Sequence, residues 1–299
     1  MILSFRSNIS NFTLLASVLA ITACSPAFEA ATAIDLSGAV EELACFREND
    51  VSMLAAHRGG PAPGYAENSL SGLGRLSGLG FLYAEVDIRE AADGTLFLLH
   101  DDTLERTTTG TGPIASLTWT DLRELRLLDP DGRTTPDTIP SLDQAAALAR
   151  QTGLTLHLDL KSVTPARIVS DIHRLGLRDH SVVIAYTVEQ AAAIHAEDPG
   201  ILLSVPDEID ALAAAGVNLE AVYVWLGTQP VDPAADDRLE ALDLPTSAGL
   251  FRLEHNGPAI YGEADDADIE ILSVDLVETA SRALGGPEAL NAHIAACRD

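Results

Sequence analysis

After residue 33 the chain alternates between apolar runs and amphipathic stretches. Nine runs read as strands: MLAA, FLYAEVDI, TLFLLH, LTLHLDL, SVVIAY, ILLSV, AVYVWL, SAGLF and IEILSVDL. Between most of them the apolar positions recur at helical spacing, as in SLDQAAALARQTG, ARIVSDIHRLG and VEQAAAIHAED. That rhythm predicts parallel strands joined by crossover helices. One connection breaks it, because only AADG separates IRE from TLF. Asp93-Gly94 predicts a two-residue hairpin turn with positive φ at both central positions, pairing Ala92 with Thr95 and setting Asp87 opposite His100. The third run then returns antiparallel on the second, and eight strands remain for a closed barrel. The expected fold class is α/β, a (β/α)8 TIM barrel with a β-hairpin extension after strand 2, occupying residues 46–299.

The first 23 residues read differently. Arg6 followed by FTLLASVLAITA, too short to span a bilayer comfortably, has the layout of an export signal. It ends in ITAC, which resembles a bacterial lipoprotein signal whose Cys24 becomes the lipidated first residue, and Ser25 after it leans toward the outer membrane. The expected location is therefore exported, anchored by lipid to the outer membrane and facing the periplasm. Residues 24–45 form a small-residue linker and an N-terminal helix. In an oxidising compartment Cys45, ahead of the first strand, and Cys297, at the end of the last helix, are candidates for a disulfide, since a closed barrel brings the chain ends together; two unpaired buried thiols are the alternative.

Composition narrows the partners. A formal net charge of −27, with acids spread along the 299 residues, excludes an electrostatic grip on nucleic acid or anionic lipid. A membrane contact is expected only through the N-terminal anchor. A phosphate needs just a few local cations or a metal, so an anionic small-molecule substrate stays compatible.

The candidate chemistry collects where barrel strands end, at the C-terminal rim. The first strand ends in AHRGG, which places His57 and Arg58 there. In AEVDIR, Glu85 and Asp87 share one face of the second strand, and its hairpin delivers His100. LTLHLDLKS adds Asp159 and Lys161, again two apart, and GYAENSL adds Glu67 and Asn68 from a loop. Like charges one strand-step apart repel unless a cation lies between them. Three carboxylates without a cysteine suit a hard divalent cation such as Ca²⁺ or Mg²⁺, and no HExxH pattern argues for zinc. Arg58 and Lys161 then leave the pocket suited to phosphate, and two imidazoles can act as base and acid on a P–O bond.

AHRGG, AENSL, AEVDIR, DG, LLHDDTLERTTTGTG, IPSL and LDLK, in this order, resemble the motif string of the glycerophosphodiester phosphodiesterase family across residues 54–162. The resemblance implies a TIM barrel that hydrolyses glycerophosphodiesters to an alcohol and glycerol 3-phosphate with a divalent cation. It also implies that Glu85, Asp87 and Asp159 hold the metal and that His57 and His100 form the acid–base pair. Arg58, Lys161, Glu67 and Asn68 would serve substrate binding and support. The chain departs from the pattern at Asp159, where the family usually has Glu, and at SAGLF, which occupies the place of an aromatic Trp-Thr-Val-Asn motif. ILSVDL keeps Asp275 where the family often has an acid. A phospholipase D-like or sphingomyelinase D-like lipid phosphodiesterase, and an inactive extracytoplasmic phosphodiester-binding lipoprotein, are the competing readings. His157, inward-facing between Leu156 and Leu158, reads as barrel packing or as a partner beneath Asp159.

Overall fold

The computed structural model describes residues 34–298; the expected signal segment and Cys24 lie outside the described residues. The described chain enters through α1 (Gly38–Glu48), β1 (Met53–Ala56), α2 (Leu70–Leu76), β2 (Tyr83–Glu90) and β3 (Leu96–Leu98). An excursion follows, with α3 (Trp119–Leu122) and the antiparallel pair β4 (Arg126–Leu128) and β5 (Thr134–Thr138). Strand and helix then alternate: α4 (Leu142–Thr152), β6 (Thr155–Leu160), α5 (Pro165–Leu175), β7 (Ser181–Ile184), α6 (Val188–Glu197) and β8 (Leu202–Val205). The last turn of the barrel is α7 (Ile209–Ala214), β9 (Val222–Trp225), α8 (Pro233–Glu240), β10 (Thr246–Gly249), α9 (Ala259–Asp265) and β11 (Ile271–Val274). It closes with α10 (Val277–Ala283) and α11 (Gly286–Ala296).

Parallel pairing runs from β1 through β2, β6, β7, β8, β9, β10 and β11, and β11 pairs back onto β1. This is a closed eight-stranded parallel barrel with outer helices, a TIM barrel, and β3 lies antiparallel on β2 as its extension. Local chemistry starts the helices where the sequence predicts. Ser141 and Gln144 form a capping box on α4, while Thr164 caps α5 with Pro165 at its first position. The main core lies between strands and helices and joins residues such as Leu54, Val86, Leu156, Ile168 and Leu272. A second cluster closes the barrel floor, where α1 lays Ala39, Val40, Leu43 and Phe46 against Met53, Leu82, Tyr83 and Ile271. Full burial of Phe46 alone is worth about 2–3 kcal/mol. At this floor Cys45 and Cys297 are joined by a disulfide, with Cα atoms 5.7 Å apart.

Two features depart from the sequence reading. The hairpin turn has three residues rather than two: Ala91 N bonds Thr95 O, Gly94 N bonds Ala91 O, and of the turn residues only Gly94 has positive φ, at 85°. This is a turn with a glycine bulge. It moves the register by one, so Ile88 faces Leu98 and Arg89 faces Phe97, and Asp87 O accepts from Leu99 N instead of lying opposite His100. The other departure is β4 and β5, which were not expected. RLL and TTPDT are short and mostly polar, and they pair above a small separate core of Phe97, Leu99, Leu104, Leu122, Leu127 and Ile139.

Candidate active site

β2 and β6 are neighbours in register, with Glu85 beside His157 and Asp87 beside Asp159. Alternation turns these positions inward together. Glu85, Asp87 and Asp159 are all buried, and each offers an oxygen within 4.8 Å of the others. Each acid has neutral support. Arg58 N donates to Glu85 Oε2 at 2.7 Å, and Tyr186 Oη donates to Asp159 Oδ2 at 2.7 Å. Asn68 uses both ends of its amide on Asp87, donating from Nδ2 at 2.7 Å and accepting from the backbone N at 3.0 Å. Asn68, expected among the substrate-binding residues, is 1% exposed, so it holds Asp87 and has no surface for a substrate.

The charge at this cluster does not balance. Lys161 Nζ lies 2.5 Å from Asp159 Oδ2 and 3.1 Å from Asp87 Oδ1, one ammonium for three carboxylates. Burial, then the charges of Asp87 and Asp159, push the Glu85 carboxyl well above its ordinary range. Asp159 Oδ1 is buried without a hydrogen-bond partner among the described residues. An all-oxygen donor set with two charges in excess and one orphaned oxygen fits a hard divalent cation.

The two histidines arrive by different routes. After β1 the chain turns sharply, with Arg58, Gly59 and Gly60 at φ 50°, 72° and 69°. This left-handed turn aims Arg58 N at Glu85 and leaves His57 on the rim. His57 Nδ1 donates to Asp275 Oδ1 at 2.8 Å, its ring stacks on Phe251 at 4.1 Å and 8°, and Nε2 lies 4.0 Å from Glu85 Oε2. His100 stands beyond the end of β3. There Arg89 Nε grips the carbonyls of Leu99 and His100 at 3.2 and 3.1 Å, and its Nη2 holds Asp102 at 2.6 Å. His100 Nδ1 donates to Asp101 Oδ1 at 2.7 Å. A carboxylate accepts only, so both imidazoles keep their proton on Nδ1 when neutral and leave Nε2 for proton exchange.

The three acids, both histidines, Arg58, Glu67 and Lys161 line one cavity of about 590 Å³, whose wall also includes Tyr186, Trp225, Phe251 and Arg252. Glu67 is in contact with Arg58 Nη1, and Arg58 Nε is buried without a partner among the described residues. His157 is packed inside the barrel beside Tyr83, with Tyr223 Oη 3.2 Å from its Nδ1. Burial lowers its pKa to about 3, so it stays neutral and takes no acid–base role at ordinary pH. Asp101, Phe251 and Tyr186 escaped the sequence reading as contributors, whereas Asp275 was expected there as an acid but not as the partner of His57. Asp101 carried a signal, its place beside His100 in LLHDD; the contact of Tyr186 needs β7 paired on β6, and that of Phe251 exists only once the barrel closes.

The fold and the site together define a TIM barrel with an acidic, two-histidine pocket at its C-terminal rim. The sequence model of the glycerophosphoryl diester phosphodiesterase family matches residues 57–171. Human glycerophosphodiester phosphodiesterase 1 is 37% identical over 116 residues, which cover 36% of this chain and 33% of the human protein. The chain thus spans about a third of the length of that relative. Among solved structures, a glycerophosphoryl diester phosphodiesterase from Parabacteroides distasonis superposes with a TM-score of 0.75 at 23% identity, covering 84% of this chain and 93% of its own. An Oleispira antarctica phosphodiesterase in complex with the product sn-glycerol-3-phosphate gives a TM-score of 0.65 at 19% identity, covering 80% of this chain and 99% of its own. The match to this family covers the stretch that carries His57, Arg58, Glu85, Asp87, His100, Asp159 and Lys161.

Proposed function

We propose that this protein is a divalent-cation-dependent glycerophosphodiester phosphodiesterase that releases an alcohol and glycerol 3-phosphate. The observation that carries the proposal is the convergence of three buried acids, short by two positive charges, with two histidines whose Nδ1 protons are held by carboxylates. Glu85, Asp87 and Asp159 would hold the cation, which when bound supplies Lewis-acid stabilisation of phosphate charge. Arg58 and Lys161, which both line the cavity, would bind the non-bridging oxygens and stabilise charge that builds on them. His57 and His100 would exchange protons through Nε2, one taking a proton from the attacking water or glycerol hydroxyl and the other giving one to the leaving alkoxide; where the hydroxyl attacks, a water then opens the cyclic phosphodiester to glycerol 3-phosphate. The product complex of the Oleispira relative supports a glycerol phosphate end in such a pocket.

The test is release of glycerol 3-phosphate from glycerophosphocholine and related diesters, with chelator and with Ca²⁺ or Mg²⁺ restored. Lysophosphatidylcholine and sphingomyelin in parallel separate the lipid phosphodiesterase reading. His57→Ala and His100→Ala should each lower turnover by two or more orders of magnitude with an unchanged circular dichroism spectrum. Full activity in either variant overturns that histidine's role, and binding without turnover under every cation favours the ligand-binding barrel. We place the mature protein outside the cytoplasm with Cys24 lipidated, a reading supported by the ITAC motif; the test is loss of radiolabelled palmitate incorporation in Cys24→Ala.

A further inference from the structure

Arg106 lies outside the set just assigned, yet its guanidinium joins both halves of the site. One edge meets Asp101, with Nε 2.5 Å from Oδ2 and Nη2 2.8 Å from Oδ1. The other edge meets Glu67, with Nη1 2.7 Å from Oε2 and Nη2 2.8 Å from Oε1. Each carboxylate also serves the pocket. Asp101 Oδ1 accepts the Nδ1 proton of His100, and Glu67 Oε2 lies 3.4 Å from Arg58 Nη1. A single planar fork therefore ties the loop after β3 to the loop after β1.

We propose that Arg106 is a positioning residue, which fixes the proton-bearing nitrogen of His100 and the direction of Arg58 as one rigid unit. The argument is geometric. A guanidinium presents five donors in one plane, so it can hold two carboxylates with paired bonds at a fixed mutual angle. An ammonium is a point donor and cannot set that angle. With Arg106 in place Asp101 remains an acceptor, which commits the neutral His100 ring to Nδ1–H and bares Nε2 toward the cavity. Glu67, its negative charge shared between two guanidinium groups, keeps Arg58 turned to the rim. The Arg106 side chain is 46% exposed, so it contributes little to fold stability and its removal should read out mainly at the site.

This inference rests on the proposed hydrolase reading, so its test has one arm that needs no turnover. In the full chain, ¹⁵N shifts of the neutral His100 imidazole should report Nδ1–H in the wild type and a shift toward Nε2–H in Arg106→Gln. With glycerophosphocholine, Arg106→Gln should lower kcat/KM by roughly 10- to 100-fold, divided between kcat through His100 and KM through Arg58. Arg106→Lys should restore little of it. Asp101→Asn and Glu67→Gln should each be non-additive with Arg106→Gln. If Arg106→Gln does not fold, the Asp101→Asn/Glu67→Gln double variant dismantles the same clamp and takes its place. An unchanged tautomer with kcat/KM within twofold of wild type overturns the proposal, as does full rescue by lysine. A wild type that turns over no diester would sink the hydrolase reading, while the tautomer still decides the role of Arg106.

Discussion

Asp275→Asn isolates the electrostatic hold on His57. The wild-type contact is 2.8 Å, and the Asp275 side chain is 42% exposed while His57 is 21% exposed. When His57 takes up a proton, the imidazolium and the carboxylate attract across about 4 Å. That is worth about 4 kcal/mol at an effective dielectric of 20 and about 1 kcal/mol in bulk water. A half-exposed carboxylate lies between these limits, and asparagine keeps the acceptor oxygen, so the loss should be about 2 kcal/mol, or roughly 30-fold in kcat. A triad aspartate loses about 10⁴-fold on the same change because the histidine is left in the wrong tautomer; the figure here is the electrostatic part alone, with the asparagine oxygen still accepting from Nδ1–H. The assay is glycerol 3-phosphate release at saturating substrate and cation, with Asp275→Ala alongside. Alanine should be worse than asparagine, because only the Phe251 stack would then orient the ring. If Asp275→Asn stays within twofold of wild type, His57 is not charged in the rate-limiting step and the argument fails.

Other consequences follow from the same structure. Asp159→Asn removes one of three mutually repelling acids, so the cation-free melting temperature should rise while the Ca²⁺- or Mg²⁺-induced increase disappears. Saturation at a hundredfold over Kd should stabilise the wild type by about 2.7 kcal/mol, and a variant that keeps this gain would remove Asp159 from the cation site. Opening the Cys45–Cys297 bridge, whose ends are 252 positions apart, should cost up to about 5.5 kcal/mol by loop entropy. Urea unfolding of the double Ser variant measures it, with kcat unchanged because the bridge is at the floor and the site at the rim; an unshifted midpoint refutes it. Glu270 lies in a small acidic cleft at the floor, where burial, with Asp236 adding to it, raises its pKa to about 7. The folded state therefore holds that proton more tightly than the unfolded chain does. The stabilisation is complete below the unfolded pKa of about 4.5 and is lost as pH rises through 7, by about 3 kcal/mol in all. Urea midpoints from pH 4 to 8 should show this fall in the wild type and a flatter profile in Glu270→Gln; equal slopes would contradict it.

The strand–helix rhythm, the closing barrel and the pairing of Glu85 with Asp87 and of Asp159 with Lys161 were legible in the sequence. Each depends on a period of two along one strand or on the order of elements, both local properties. The length of the hairpin turn was not legible. Asp93-Gly94 suits both a two-residue turn and a three-residue turn with a bulge. The choice is settled by the excursion, where Ala92 N bonds Leu117 O and Asp93 Oδ2 accepts from Trp119 N. His100 reaches the pocket through the grip of Arg89 on its carbonyl rather than through ladder register.

The chain order thus determined which acids, imidazoles and cations a rim would carry. Their partners were decided only by the tertiary structure. His57 and Asp275 are 218 positions apart and meet because β1 and β11 close the barrel. Phe251 on His57 follows from the same closure, while Tyr186 meets Asp159 because β7 pairs beside β6. A pattern along one strand fixes the face a side chain takes, whereas a contact across the barrel mouth depends on strand tilt, loop path and packing summed around the whole ring, which no local stretch encodes.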